Sequence, residues 1–283
     1  MTADADTADA LIARLQAQAR TQSVSYQGAQ MHWRAWGKGA PLVMLHGGHG
    51  SWLHWVRNIE ALADAGYTVW LPDLPGFGDS DLPPAPGDFA SFLAMVGATL
   101  QAVVGTGAPV NLAGFSFGGL VAAELAASAA ARHLAIRRLA LLGPGGHGGA
   151  RRQPLEMLNW RKADSPQALE AALRNNLASL MLHQPDSIDA LAVQVQARAS
   201  AATRFRSKPI SRSAALGPAL AHITCPTLLA WGEHDVTADP VLVGPAMQAR
   251  QPGLQLRIVP GAGHWVQYEA APATLALLTD WFR

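Results

Sequence analysis

One cysteine, Cys225, stands in 283 residues, so no internal disulfide can form. It lies just ahead of a Pro-Thr-Leu-Leu run and reads as inert packing. Charge is scarce: Asp, Glu, Lys and Arg make up 14% of the chain and sum to +1, which leaves no basic surface for nucleic acid. No apolar run reaches the length of a membrane-spanning helix. The amino terminus, Met1-Thr2-Ala3-Asp4-Ala5-Asp6, is acidic and lacks the basic-then-apolar plan of a secretory signal. These absences predict a cytoplasmic protein with a small-molecule partner and neither a nucleic-acid nor a membrane partner. No internal repeat or low-complexity tract interrupts the chain.

What is present suits one α/β domain. Hydrophobic residues are 49% of the chain, enough for a large core. Strand and helix patterns alternate: strand 41–46, helix 51–65, strand 67–72, helix 88–104, strand 110–115, helix 118–131, strand 136–142. A hairpin over 23–27 and 30–36 precedes them, turning about Gly28-Ala29. The rhythm breaks over 150–215, which carries helical patterns and no strand. It resumes at 226–235, 240–250, 254–260 and 267–282. Alternation of this kind predicts a mainly parallel sheet flanked by helices. The domain reading is a core of 23–145 and 216–283 with an inserted helical cap at 146–215. Residues 1–22 read as a helical arm, with Ala8, Leu11, Ile12 and Leu15 on one face. That stripe needs a cover, which leaves a second subunit as one choice; a frayed terminus is the alternative.

Chemistry is concentrated at Gly114-Phe115-Ser116-Phe117-Gly118, a G-x-S-x-G pattern between a strand and a helix. A serine on so sharp a turn stands above the sheet, at a helix N-terminus that favours negative charge. A serine hydroxyl needs a base, and the base needs an orienting acid, in the chain order serine, acid, histidine. Asp235 follows the strand Thr227–Trp231, and His264 lies on the loop Gly261-Ala262-Gly263-His264-Trp265. Glu233 and Asp239 are rival acids. The strand after the elbow helix ends Gly143-Pro144-Gly145 with no carboxylate, which favours Asp235. Backbone N–H groups of Gly48, in the turn His46-Gly47-Gly48, and of Phe117 read as the oxyanion hole. An ordinary capped turn is the plainer reading there, since Ser51 suits an N-cap.

These segments, with Asp73-Leu74-Pro75-Gly76-Phe77-Gly78-Asp79-Ser80 and Trp231-Gly232-Glu233-His234-Asp235, occur in the order typical of the α/β-hydrolase superfamily. The chain resembles that superfamily over nearly its whole length. The resemblance implies a Ser116–His264–Asp235 triad, a cap over the active site, and no metal or organic cofactor. Asp73 reads as structural, tying down the loop after its strand. Gly143-Pro144-Gly145-Gly146 and Gly263 to Glu269 also look like the carbon–carbon bond hydrolases that act on meta-cleavage products of aromatic rings. Two departures stand against that branch. Phe115 occupies a position where those enzymes often carry asparagine, and their lid arginine is not assigned among Arg198, Arg204 and Arg206. The preferred expectation is therefore a small carboxylic-ester hydrolase working through an acyl-enzyme. Carbon–carbon bond hydrolysis of a ketone, a lactonase and a non-enzymatic ligand receptor are the alternatives.

The substrate-binding expectation covers Gly47, Phe115, Trp160, Met181 and Trp265. Met157, Leu158, Leu177 and Leu180 are further candidates for an apolar pocket. Packing of the cap on the core explains each of them equally well. Trp52, His54 and Trp55 are further cleft candidates. Arg151, Arg152, Arg161, Arg204 and Arg206 suit a substrate carboxylate by guanidinium geometry, or simply a solvated face.

Overall fold

The computed structural model describes residues 3–152 and 156–283, with side chains from residue 6 onward. The chain runs α1 (Ala3–Gln18), β1 (Arg20–Tyr26), β2 (Ala29–Trp36), β3 (Ala40–Leu45), α2 (Ile59–Asp64), β4 (Tyr67–Pro72), α3 (Phe89–Val104), β5 (Pro109–Phe115), α4 (Phe117–Ala127) and β6 (Ala135–Leu142). Then follow α5 (Pro166–Leu180), α6 (Ala190–Ala201), α7 (Lys208–Ser211), α8 (Leu216–His222), β7 (Thr227–Gly232), α9 (Pro240–Gln248), β8 (Gln255–Val259), α10 (Val266–Glu269) and α11 (Ala271–Phe282).

The strands form one sheet in the order β1-β2-β4-β3-β5-β6-β7-β8. β2 pairs antiparallel with both β1 and β4, and the remaining neighbours are parallel. Successive residues of a strand face opposite sides, and the packing follows that period. Val43, Leu45, Leu112, Leu139 and Leu141 enter one apolar cluster, whereas Leu42, Met44, Ala113, Ala140 and Leu142 enter the other. Burial on both faces is why β3 and the carboxyl-terminal halves of β5 and β6 read as apolar runs.

Several boundaries differ from the sequence reading. Arg20, Thr21 and Gln22 belong to β1, opposite Ala35, Arg34 and Trp33, and are not part of the arm. They lie on an exposed polar edge, so no apolar alternation marks them. The hairpin turns at Gln27-Gly28, both with positive φ, one residue earlier than expected. The expected helix 51–65 is a 3₁₀ turn at Trp52–Trp55 followed by the short α2. Ser51 caps that turn, accepting from Leu53 N–H at 3.3 Å, and Trp52, Leu53, His54 and Trp55 are all buried. Four consecutive buried side chains do not fit the one-sided face of a surface helix. The expected helix 267–282 breaks at Ala270, and Pro272 sits in the first turn of α11.

α1 packs on α6, with Ala8, Ile12 and Leu15 buried. Among the described residues no helix is long and apolar enough to cross a membrane.

Candidate active site

β3, β5, β7 and β8 all deliver loops to the carboxyl end of the sheet, the edge where open α/β sheets place ligands. β5 enters α4 through Ser116, whose φ of 54° and ψ of −116° are strained for a residue with a side chain. Backbone crowding enforces the turn. A Cβ on Gly114 would stand 2.2 Å from Gly118 O, and one on Gly118 would stand 2.4 Å from His46 O. Ser116 N–H donates to Leu142 O at 2.9 Å, and Gly145 N–H donates to Ser116 O at 2.8 Å, which pins the elbow to the end of β6.

The structure brings Ser116, His264 and Asp235 together. Ser116 Oγ lies 3.0 Å from His264 Nε2, and His264 Nδ1 lies 2.8 Å from Asp235 Oδ2. With Nδ1–H donating to the carboxylate, Nε2 is left to accept the serine proton. Asp235 is fully buried, and its other oxygen accepts from Thr237 N–H at 2.7 Å and Thr237 Oγ1–H at 2.8 Å. Thr237 was not among the expected site residues; its signal is the Asp-x-Thr spacing of a side-chain-stabilised turn. Gly143, at φ 49°, leaves room beneath the pair, since a Cβ there would lie 3.1 Å from both Asp235 Oδ2 and His264 Nδ1. The rival acids face elsewhere. Glu233 accepts from Gly261 N–H at 2.9 Å, and Asp239 caps α9. Glu269 holds the histidine loop, accepting from Gly263 N–H and from His183 N–H at 2.8 Å.

Gly48 and Phe117 lie side by side, a Cβ on Gly48 falling 3.8 Å from Phe117 Cβ. No described residue accepts a hydrogen bond from either N–H, so both donors are free. Two buried imidazoles support the turn. His46 Nδ1–H donates to Gly47 O at 2.8 Å while its Nε2 accepts from Leu74 N–H at 2.9 Å. His54 Nδ1 accepts from Gly47 N–H at 3.2 Å. Burial above all pushes His46 down to about 4 and His54 well below the ordinary imidazole value. Asp73 is structural: Oδ2 accepts from Arg34 Nη1–H at 2.9 Å and Oδ1 from Trp52 N–H at 3.1 Å.

A cavity of about 600 Å³ is lined by His49, Arg161, Arg204, Arg206, Lys208 and Arg212, with Phe205 the one aromatic among the described lining residues. It adjoins the Gly48 turn, because Ser207 of the same lining has its Oγ 2.5 Å from where a Gly48 Cβ would stand. None of Phe115, Trp160, Met181 and Trp265 lines this cavity. Trp265 is fully buried, donating from Nε1 to His54 O at 2.9 Å and stacking on Tyr268 at 4.1 Å. Phe115 is likewise buried, its ring 4.9 Å from that of His264. Met181 packs against a core cluster, and Trp160 lies under the guanidinium of Arg161. Gly47 stays at the site, its Cβ position 3.1 Å from Ser116 Cβ. Of the candidate arginines, Arg151 donates to Ser211 O, Arg152 to Glu233 O, and Arg198 pairs with Asp9. Arg161, Arg204 and Arg206 line the cavity, Arg204 while donating to Ser80 O.

A family model described as the alpha/beta hydrolase fold matches residues 40–271. A 2-hydroxy-6-oxo-6-phenylhexa-2,4-dienoate hydrolase of Burkholderia cepacia is 30% identical over 264 residues, covering 89% of this chain and 90% of the relative. A 2-hydroxy-6-oxononadienedioate/2-hydroxy-6-oxononatrienedioate hydrolase of Comamonas testosteroni is 29% identical over 264 residues, covering 89% and 90%. Among solved structures, an esterase from Rhodococcus sp. ECU1013 superimposes with a TM-score of 0.72 at 25% identity, covering 93% of this chain and 98% of that one.

Proposed function

The chain belongs to the α/β-hydrolase fold family and is a hydrolase, and from that premise we propose that it hydrolyses a carbon–carbon bond next to the ketone of an acidic dienone. The observation that carries the reading is the pair of end-to-end relatives named for 6-oxo-dienoate and dienedioate substrates. Ester hydrolysis, the preferred expectation from sequence, becomes the second reading. It is supported by the likeness to the Rhodococcus esterase. The two readings share one apparatus, and fold alone does not separate them.

In the proposed reaction the 2-hydroxy-dienone first moves a proton from its enol oxygen to C5, giving a 2,6-diketone, with His264 as the proton carrier. Ser116 Oγ, 3.0 Å from His264 Nε2, then attacks C6 as the imidazole takes its proton. Asp235, 2.8 Å from Nδ1, orients the ring and stabilises its cation. The free Gly48 and Phe117 N–H groups receive the oxyanion. As the C5–C6 bond breaks, its electrons delocalise through the C3–C4 alkene to the C2 oxygen, so the leaving group departs as a dienolate and is protonated. Water, activated by His264, releases the acid from Ser116. The segment between β6 and β7, which contributes Arg161, Arg204, Arg206, Lys208 and Arg212, acts as the cap that selects the substrate.

A panel of ring-fission dienones and small chromogenic esters, compared by kcat/KM, tests this reading. Dienones turned over at least a hundredfold better support it; the opposite order supports the esterase.

A further inference from the structure

We infer that Ser207, on the segment between β6 and β7, supplies a third hydrogen-bond donor to the oxyanion, its hydroxyl acting beside the Gly48 and Phe117 N–H groups. The inference rests on Ser116 as the nucleophile and holds whether the substrate is a dienone or an ester. Ser207 lines the cleft next to the Gly48 turn, and its Oγ lies 2.5 Å from where a Gly48 Cβ would stand. That gap and one carbon–carbon bond put the hydroxyl within about 4 Å of Gly48 Cα. The same Cβ position is 3.8 Å from Phe117 Cβ, so the hydroxyl and the two N–H donors share one corner.

The hydroxyl is uncommitted. Ser207 precedes α7 at its N-cap, where a serine oxygen ordinarily accepts from a helix N–H, yet its side chain makes no such bond. The residue is only 2% exposed, and its hydroxyl has no hydrogen-bond partner among the described residues. Buried polar groups are almost always paired, so one left open asks for a partner from outside the chain. The oxygen is not sealed in the core but opens on the cleft, and none of the described lining residues carries a carboxylate that could take its proton. A hydroxyl turns freely about its Cβ–Oγ bond and donates once, which suits a ligand oxygen.

The backbone around Ser207 is held from both sides, as a preorganised donor requires. Arg204 and Phe205 N–H both donate to Gly76 O, at 2.8 and 3.1 Å. The Phe205 ring stacks on that of Phe117, with centroids 6.0 Å apart. On the other side Ser207 O accepts from Ser211 N–H at 2.9 Å, and Ser211 O accepts from Gly146 N–H at 2.7 Å. Ser207 is thereby tied to Phe117 through Phe205, and to the loop after β6 through Ser211.

In the attack Ser116 Oγ bonds to the carbonyl carbon, its proton passes to His264 Nε2, and the π pair moves onto the carbonyl oxygen. That oxygen accepts from Gly48 N–H, Phe117 N–H and Ser207 O–H. Ser207 keeps its proton throughout. On collapse the pair returns to re-form C=O, and the bond to the leaving group breaks.

Labelling of Ser116 by a fluorophosphonate, with fluoride leaving, tests this for any natural substrate, because the phosphoryl oxygen gathers charge in the same corner. The second-order rate should fall roughly tenfold or more in Ser207→Ala and stay within about threefold of wild type in Ser207→Thr, which keeps the hydroxyl. The turnover substrates are 2-hydroxy-6-oxonona-2,4-dienedioate, 2-hydroxy-6-oxo-6-phenylhexa-2,4-dienoate and p-nitrophenyl acetate. On whichever is cleaved, kcat should fall by a similar factor in Ser207→Ala, with KM and the pH of half-maximal activity unchanged, since His264 is untouched. An unchanged labelling rate in Ser207→Ala, or an effect confined to KM, overturns the inference. Equal loss in both variants at wild-type thermal midpoints assigns the effect to shape and overturns it too. The ranking of the three substrates decides the proposed reaction separately and does not enter the Ser207 comparison.

Discussion

Asp9 of α1 forms an ion pair with Arg198 of α6, and Asp9 Oδ2 also accepts from Gln194 Nε2–H at 3.1 Å. The amino-terminal helix is thereby tied to the segment between β6 and β7. Exposed charges of this kind contribute about 0–1 kcal/mol, so the main hold is apolar. Ile12 and Leu15 are fully buried, and Leu15 O accepts from Trp36 Nε1–H at 2.8 Å.

Removing residues 1–18 exposes that face. Loss of two buried aliphatic side chains costs about 1.5–3 kcal/mol each. The thermal midpoint should therefore fall by several degrees, while the Ser116 relay, which α1 does not touch, stays competent. The cut must end before Arg20, since a deletion to residue 22 would also take part of β1. An unchanged midpoint in calorimetry would mean that α1 adds nothing to the fold.

Ser116→Ala should leave the fold intact and lower turnover by several orders of magnitude, as loss of a triad nucleophile does. A serine-directed phosphonate should label Ser116 in the wild type. Labelling at another serine, with activity kept in the alanine variant, would reassign the nucleophile.

Thr237→Val removes the hydroxyl that donates to Asp235 Oδ1 at 2.8 Å. One hydrogen bond to a charged group is worth about 1.5–3 kcal/mol. The expected loss is roughly tenfold or more in kcat with KM nearly constant, and Thr237→Ser should restore most of it. A change confined to KM would remove Thr237 from the relay.

Acid should destabilise the protein well before carboxylates titrate. His46 is held at about 4 against 6.5 in the unfolded chain. Its depressed value means that the unfolded state binds the extra proton, so its full contribution to stability is present above pH 6.5 and is lost as pH falls towards 4. At about 1.4 kcal/mol per unit, complete loss amounts to about 3 kcal/mol. His54, buried against the same turn, adds in the same direction. Urea midpoints should fall between pH 7 and pH 5; flat midpoints over that interval would show that these imidazoles titrate normally.

The parallel core and the grouping of Ser116, His264 and Asp235 were legible in the sequence because each has a local signature. Apolar runs mark β3, β7 and the carboxyl-terminal halves of β5 and β6, and tight glycine turns mark Ser116 and His264. The edge strand at Arg20–Gln22 and the turn at Trp52–Trp55 were not legible, since tertiary pairing and burial decide them. Trp265 follows the same rule: an aromatic beside the His264 loop reads as a substrate contact from sequence, and the structure buries it against His54 and Tyr268. The cleft was half legible. Arg161, Arg204 and Arg206 could be nominated by charge, but only folding shows that Arg198 is engaged by Asp9 and that Lys208 and Arg212 join them.

The most direct test of the account is product analysis by mass spectrometry after incubating the purified enzyme with each dienone. Cleavage at C5–C6 should yield the five-carbon 2-hydroxydienoate and the matching acid in equal amounts, succinate from the dioate or benzoate from the phenyl compound. The Ser116→Ala protein should form neither. Unchanged dienones alongside rapid hydrolysis of a small ester would contradict carbon–carbon bond cleavage and return the protein to the esterase reading.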